Sequence, residues 1–367
     1  MHPDQAKTPR YERIILSLCL LSLTSVWADS TASRTPDGRP DFTGTYNAAT
    51  LTPLERPKRF GENKFLSRAE AKQITAEERA LMRKGNAQTT GVRSAPAVGG
   101  APIIGFEDQR AAGESLGAGN VGGYNVFWFD RGNSAFAVDG KFRTSIITNP
   151  KNGRRPAMHP KAASVAQANS ATFMRNDGTA WWLGEEGPGP YDDLENRPPE
   201  ERCLLGFVGG PPTLPSLYNN FVKIVQTDRY VMIMNEMIHD ARVVRMNDRH
   251  ISQGIRKWLG DSIGWWDGDT LVIETTNFRE ETGLAGASST LTVTERLSQL
   301  EDGHINYAFS IVDPRIWTSS WQGDYIWAHS DENVYEYACH EGNYALGGIM
   351  RGARLLEAEA AVNLSRQ

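Results

Sequence analysis

Residues 265–274, WWDGDTLVIE, carry the clearest fold signal in the chain. Asp-Gly between alternating apolar and polar residues is among the strongest short-range hairpin signals, because a two-residue β-turn needs positive φ that Gly adopts freely. A second stretch repeats the pattern: SQLEDGHINY, residues 298–307, turns at Asp302-Gly303. Working outward, FVKIVQT (221–227), YVMIMNEM (230–237), ARVVRM (241–246), TLTVTERLSQL (290–300) and INYAFSIVD (305–313) are short β-branched and aromatic runs bounded by turn residues. FRTSIITN (142–149) and YNVFWFD (124–130) extend the series toward the N-terminus. Strands that follow one another without intervening helices make an antiparallel meander. The expected fold is mainly β: a large barrel or sandwich, lipocalin-like, with a few peripheral helices. No convincing repeat period is present, so a propeller is only a minor alternative.

Three segments carry helix signals. Ser67 precedes RAEAKQITAEERALMRKG, with early acids, late bases and a terminal Gly85. HPKAASVAQANSATFMRNDG (159–178) and GGIMRGARLLEAEAA (347–361) read as two more. Residues 29–120 otherwise form a loop-rich N-terminal wrap, with a Gly/Ala/Ser-rich linker over 86–120. The β domain spans 121–367.

Residues 1–28 read as a signal peptide. Lys7, Arg10 and Arg13 lead into IILSLCLLSLTSVW, which ends at Val26-Trp27-Ala28, giving an expected cleavage after Ala28. The apolar run is short for a span, which needs roughly 20 residues, so no stable membrane insertion is expected after cleavage. The expected location is periplasmic or secreted. Cys203 and Cys339 then remain as an even pair in an oxidising compartment, where a disulfide is the default. A catalytic Cys339 would need Cys203 kept reduced outside the cytoplasm. The net charge of −5 and the lack of a Lys/Arg cluster argue against nucleic acid as a partner.

Taken together, LENRPPEERCL (194–204), NEMIHDARVVRMNDRH (235–250), IRKWLGDSIGWWDGDTLVIETTNF (255–278), VDPRIWTSSW (312–321) and YEYACHEGNYAL (335–346) resemble a family of exported bacterial proteins of unknown function. The resemblance runs from about residue 35 to 360 and implies export and a shared fold, but no reaction. MNDRH stands where the family pattern has an Asp-Gly turn.

No P-loop, Rossmann fingerprint, G-x-S-x-G elbow, H-E-x-x-H or paired C-x-x-C occurs, and no cofactor is implied. Two polar clusters carry the chemical expectation. In NEMIHDAR, His239 is the proton-transfer group, Asp240 or Glu236 its orienter, and Arg242 a stabiliser of negative charge. Alternation along an uninterrupted strand would instead pair Glu236 with Arg242 as a salt bridge. His340 and Glu341 form a second acid–base pair, brought near by the disulfide, unless they only cap the last helix. Tyr218, Asn219, Asn220, Trp265 and Tyr344 are the expected substrate contacts. His239, His340, Glu236 and Glu341 could converge on a metal, but their spacing matches no ligand motif, and none is expected. The favoured reading is an exported enzyme doing cofactor-independent acid–base chemistry on a hydrophobic or aromatic small molecule. Isomerase, lyase or hydratase, and hydrolase activities all fit. The alternative is a non-catalytic, lipocalin-like binder of hydrophobic ligands.

Overall fold

A computed structural model describes residues 33–86, 128–171, 178–206 and 210–366. The expected leader and nearly all of the 86–120 linker lie outside the described residues. Of YNVFWFD only Trp128–Asp130 fall inside, and they join no sheet.

Thirteen strands occur among the described residues. The first four are β1 Gly44–Asn47, β2 Phe65–Leu66, β3 Ala137–Val138 and β4 Lys141–Arg143. β5 is Ile147–Asn149, β6 Phe221–Gln226, β7 Tyr230–Asn235 and β8 Ala241–Met246. Then come β9 Asp261–Asp267, β10 Thr270–Thr276, β11 Thr292–Gln299, β12 Ile305–Val312 and β13 Trp321–Ser330. Strand β1 pairs with both β6 and β13, which closes the order β1-β6-β7-β8-β9-β10-β11-β12-β13 into a nine-stranded barrel. β5 adds to the outer part of β13, and β2, β4 and β3 form a separate small sheet. The N-terminal segment therefore wraps the barrel and also supplies its closing strand.

Both hairpin signals form. The first turns one place later than the sequence reading, on Gly268 and Asp269, with Asp267 opposite Thr270 and Gly268 at φ 60°. In the second, Leu300 N–H donates to His304 O at 2.8 Å and Gly303 takes φ 80°, as three-residue hairpins require.

A closed ring of nine strands cannot alternate direction throughout, so one pair must be parallel. That pair is β8 with β9, where Val244 lies opposite Ser262 and Met246 opposite Gly264. Residues 247–260 cross back to make it, and Asp261 pins the crossing. Its buried carboxylate accepts from Arg245 Nη1 at 2.8 Å, Lys257 Nζ at 3.1 Å and Ile251 N–H at 3.1 Å, with His250 Nδ1 at 3.0 Å. Burial alone would raise this carboxyl, but those donors hold it well below the usual aspartate range.

Inward residues alternate along every strand and fill the lumen with Val222, Ile233, Val244, Ile273, Val293 and Leu297, among others. Tyr307 stacks on Trp327 with centroids 4.2 Å apart, and Trp321 meets Phe309 edge to face at 5.7 Å. Gly323 is required by this density: a Cβ there would lie 2.5 Å from Phe309 Cζ. The same lumen holds one charged pair. Arg242 Nη2 donates to Glu295 Oε1 at 2.6 Å, and the Tyr307 hydroxyl donates to the same oxygen at 2.6 Å. Tyr307 in turn accepts from Thr213 N–H at 3.0 Å, while the Tyr325 hydroxyl donates to Thr213 O at 2.8 Å. The segment around Thr213, with Pro211, Pro212, Leu214 and Leu217 all buried, is thereby tied to the lumen residues.

The helices are peripheral. Arg68–Gly85 begins with a capping box, Ser67 N–H donating to Glu70 Oε2 at 2.7 Å and Glu70 N–H to Ser67 Oγ at 3.2 Å. A second helix is Pro160–Ala171, a short turn spans Cys339–Gly342, and Tyr344–Ser365 is the C-terminal helix. The last is fastened by Trp182 Nε1, which donates to Glu357 Oε1 at 2.8 Å.

Candidate functional site

The NEMIHDAR segment is a corner, not an uninterrupted strand. β7 ends at Asn235, whose N–H donates to Asp240 O at 2.9 Å, and Met237–His239 make a single tight helical turn before β8 begins. Ile238 and His239 sit at φ 59° and 55°. Left-handed backbone is costly for a β-branched residue, and such strain of roughly 1–3 kcal/mol clusters at functional sites. Asn219 (φ 54°) and Cys203 (φ 57°) add two more such residues at this mouth of the barrel. The corner separates Glu236 from Arg242: the arginine turns into the lumen toward Glu295, and the expected Glu236–Arg242 pair does not form.

What the corner does present is acid. Asp240 is buried, and burial pushes its carboxyl up to about 6 against the opposing hydrogen bond from Gly206 N–H at 2.8 Å. Glu236 is also raised, first by burial and then by Asp130, although Phe221 N–H at 3.4 Å and the Asn219 side chain stabilise its charge. A third member, Glu200, comes from the RPPEERC stretch. Burial raises it, and Glu201, Glu281 and Asp240 add to the effect as negative neighbours. Sequence reading missed Glu200; its place three residues before Cys203 was the available signal.

The disulfide shapes the space around these acids. Cys203 and Cys339 are bonded, with Cα atoms 5.8 Å apart across a sequence separation of 136. The bond anchors residues 331–343, a strap that leaves β13 and returns over the mouth. His239 holds the strap partway along: its Nε2 lies 2.9 Å from Tyr335 O and 3.2 Å from Tyr337 N. A ring nitrogen is donor or acceptor, never both, so either tautomer engages the strap backbone. Asn343 completes the anchoring, capping Leu346 N–H at 3.2 Å and donating to Glu201 O at 2.7 Å.

Between strap, C-terminal helix and the Glu200–Cys203 loop lies an open pocket of about 510 Å³, within the size range of small-molecule sites. Glu200, Asn219, Tyr337, Asn343 and Leu346 line it, and Trp128 stands at its edge. Of the sequence-derived candidates, Asn219, Cys203 and Cys339 line it directly, and Glu236 touches it through Asn219. His340 and Glu341 belong to the same strap but are exposed and absent from the lining. Tyr344 projects into solvent at 86% exposure. Tyr218 is half-buried beside Asn219. Asn220 has a structural task, accepting from Ser216 N–H at 2.6 Å and donating to Asp130 O at 2.7 Å. Trp265 lies on the outer barrel face opposite Val272, and its neighbour Trp266 packs inward against Phe42. Among the described residues no three His, Cys, Asp or Glu side chains come close enough to hold a metal ion.

No family model, no curated protein and no solved structure matches this chain.

Proposed function

We propose that this chain is an exported enzyme that performs cofactor-independent acid–base chemistry on an apolar or aromatic small molecule. The observation that carries the reading is a carboxyl of raised proton affinity, Glu200, on the wall of a 510 Å³ pocket, with two buried carboxyls shifted the same way behind the wall: Asp240, a charged neighbour of Glu200, and Glu236, bonded to the pocket-lining Asn219. A carboxyl of raised proton affinity is a stronger base than a free carboxylate, so it can take a proton from a substrate and return it. Glu200, on the pocket wall, is the group that exchanges a proton with substrate. Asp240 stands behind it as the charge that tunes it, and the Asn219 amide, oriented by Glu236, receives a polar atom of the ligand. His239 orients the strap. Isomerisation, hydration or dehydration, and ester hydrolysis all use such a set. The N-terminal leader and the Cys203–Cys339 bond both support a location outside the cytoplasm.

A lipocalin-like carrier has less support. Such a protein keeps its ligand in the lumen, and here the lumen is filled by Tyr307, Trp327, Trp321 and the Arg242–Glu295 pair.

The test is turnover. Oxidised, leaderless protein would be incubated in D₂O with aryl esters, enolisable aryl ketones and arylalkenes, and followed by NMR for deuterium uptake, hydration or cleavage. Glu200→Gln should lower the observed rate about 10²-fold or more, the usual scale for a general acid–base group. Turnover unaffected by that substitution, or no reaction across the panel, would remove the proposal.

A further inference from the structure

The pocket lining combines two chemistries. The C-terminal helix contributes Ala345, Leu346 and Ile349, and Tyr337 and Trp128 add aromatic side chains. Three acids, Glu200, Glu201 and Glu336, line the same pocket. No Lys, Arg or His lines the pocket among the described residues.

The acids are not equivalent. Glu201 is already neutralised by Arg197, whose Nε and Nη2 reach its two carboxylate oxygens at 2.8 and 2.9 Å. Glu200 and Glu336 have no basic side chain within ion-pair distance among the described residues. Glu336 is exposed on the strap, and Glu200 lines the same pocket from the loop before Cys203. An anion in this space would meet carboxylates with no cation to offset them. A neutral molecule would leave Glu200 partly desolvated and unpaired, which is unfavourable. A cation would supply the missing counter-charge, and the faces of Trp128 and Tyr337 attract cations further.

We infer that the pocket takes an organic cation, an ammonium or amine carried on an apolar or aromatic body, with the charge between Glu200 and Glu336 and the body against Leu346 and Ile349. This rests on the reading of the pocket as the substrate site and names the substrate class. It also separates the roles of the acids: Glu336 selects by charge and touches no reacting atom, whereas Glu200 both attracts the ligand and exchanges the proton.

The test uses three probes that share a phenyl ring and differ in charge: 2-phenylethylammonium, 2-phenylethanol and phenylacetate. Each is titrated calorimetrically into the intact, oxidised chain at pH 7.5. The ammonium should bind at least about tenfold tighter than the alcohol, and phenylacetate should bind weakest. Glu336→Lys, an exposed substitution that leaves the fold intact, should bring the ammonium down to the level of the alcohol or below. Glu200→Gln should do the same from inside the pocket. Phenylacetate binding as tightly as the ammonium, no heat from the ammonium at about 10 mM (an affinity weaker than any specific site), or selectivity that survives Glu336→Lys would each overturn the inference. Its failure is separable from that of the enzyme reading. Turnover of neutral or anionic compounds dependent on Glu200 would keep the enzyme and discard the cation. Charge-selective binding without turnover of any compound would do the reverse.

Discussion

Replacing Asp240 by Asn should make the protein more stable at neutral pH and leave it no more stable in mild acid. Asp240 is 8% exposed, and burial holds its carboxyl at about 6 against an ordinary aspartate value of 3.8. Each pH unit of difference corresponds to 1.36 kcal/mol, so the charged form is disfavoured in the folded protein by about 3 kcal/mol. The sign follows from proton counting. Between 3.8 and about 6 the folded state binds the proton that the unfolded state has lost, so stability falls as pH rises through this window. Below it both states are protonated and the penalty is absent. Asparagine carries no charge to desolvate and its carbonyl oxygen can still accept from Gly206 N–H, whose bond to Asp240 is 2.8 Å. Urea unfolding of the oxidised wild type and Asp240→Asn at pH 3.5 and 7.5 measures the difference directly. The variant should gain about 2–3 kcal/mol at pH 7.5 and nothing, or lose about 1 kcal/mol for a poorer hydrogen bond, at pH 3.5. Using the difference between the two proteins cancels titrating groups that do not feel Asp240, including Glu236 with a shift of the same sign and Asp261 with the opposite one, while Glu200, which Asp240 raises, is relieved by the substitution and adds to the gain at neutral pH. A stability difference that does not change with pH would refute the claim that burial raises this carboxyl.

Three further outcomes are expected. Arg242→Met should destabilise by about 3–5 kcal/mol because it strands the buried Glu295, whereas the double change Arg242→Met with Glu295→Leu should recover most of that loss in a double-mutant cycle. Intact mass with and without reduction and alkylation should find Cys203 and Cys339 oxidised in exported material, and replacing both by Ser should lower stability by up to about 4–5 kcal/mol, since the bond closes a loop of 136 residues. Gly323→Ala should lower the thermal midpoint through overpacking of roughly 1–3 kcal/mol, because the added methyl meets Phe309; an unchanged midpoint would mean the lumen is looser than described.

Much of the fold was legible locally. The turns at Gly268 and Gly303, the capping box of Ser67 with Glu70, and the alternating runs of β10 to β13 are written in neighbouring residues. Turn chemistry and side-chain periodicity act over two to four positions, which is why one sequence suffices to read them. The pairing of the two cysteines was expected from their even number once residues 1–28 are read as a leader, again without tertiary information. The density of acids in NEMIHDAR was equally visible, though not what each would do.

Tertiary structure decided the partners. Arg242 belongs to Glu295, 53 residues away, because the chain turns a corner at Ile238 and His239 and because the registers from β8 through β9 and β10 to β11 set which side chains share the lumen. The single parallel pair comes from closure itself: β1 joins the first and last strands of the meander, and nine strands then require one mismatch of direction. Glu200 is ordinary in sequence and acquires its raised proton affinity only where the fold removes water from it and sets Glu201, Glu281 and Asp240 near it as negative neighbours. Register, closure and desolvation depend on segments far apart in the chain. Neighbouring residues alone set the strands and their turns; which charges meet, and which lose their water, depended on how distant strands were brought together.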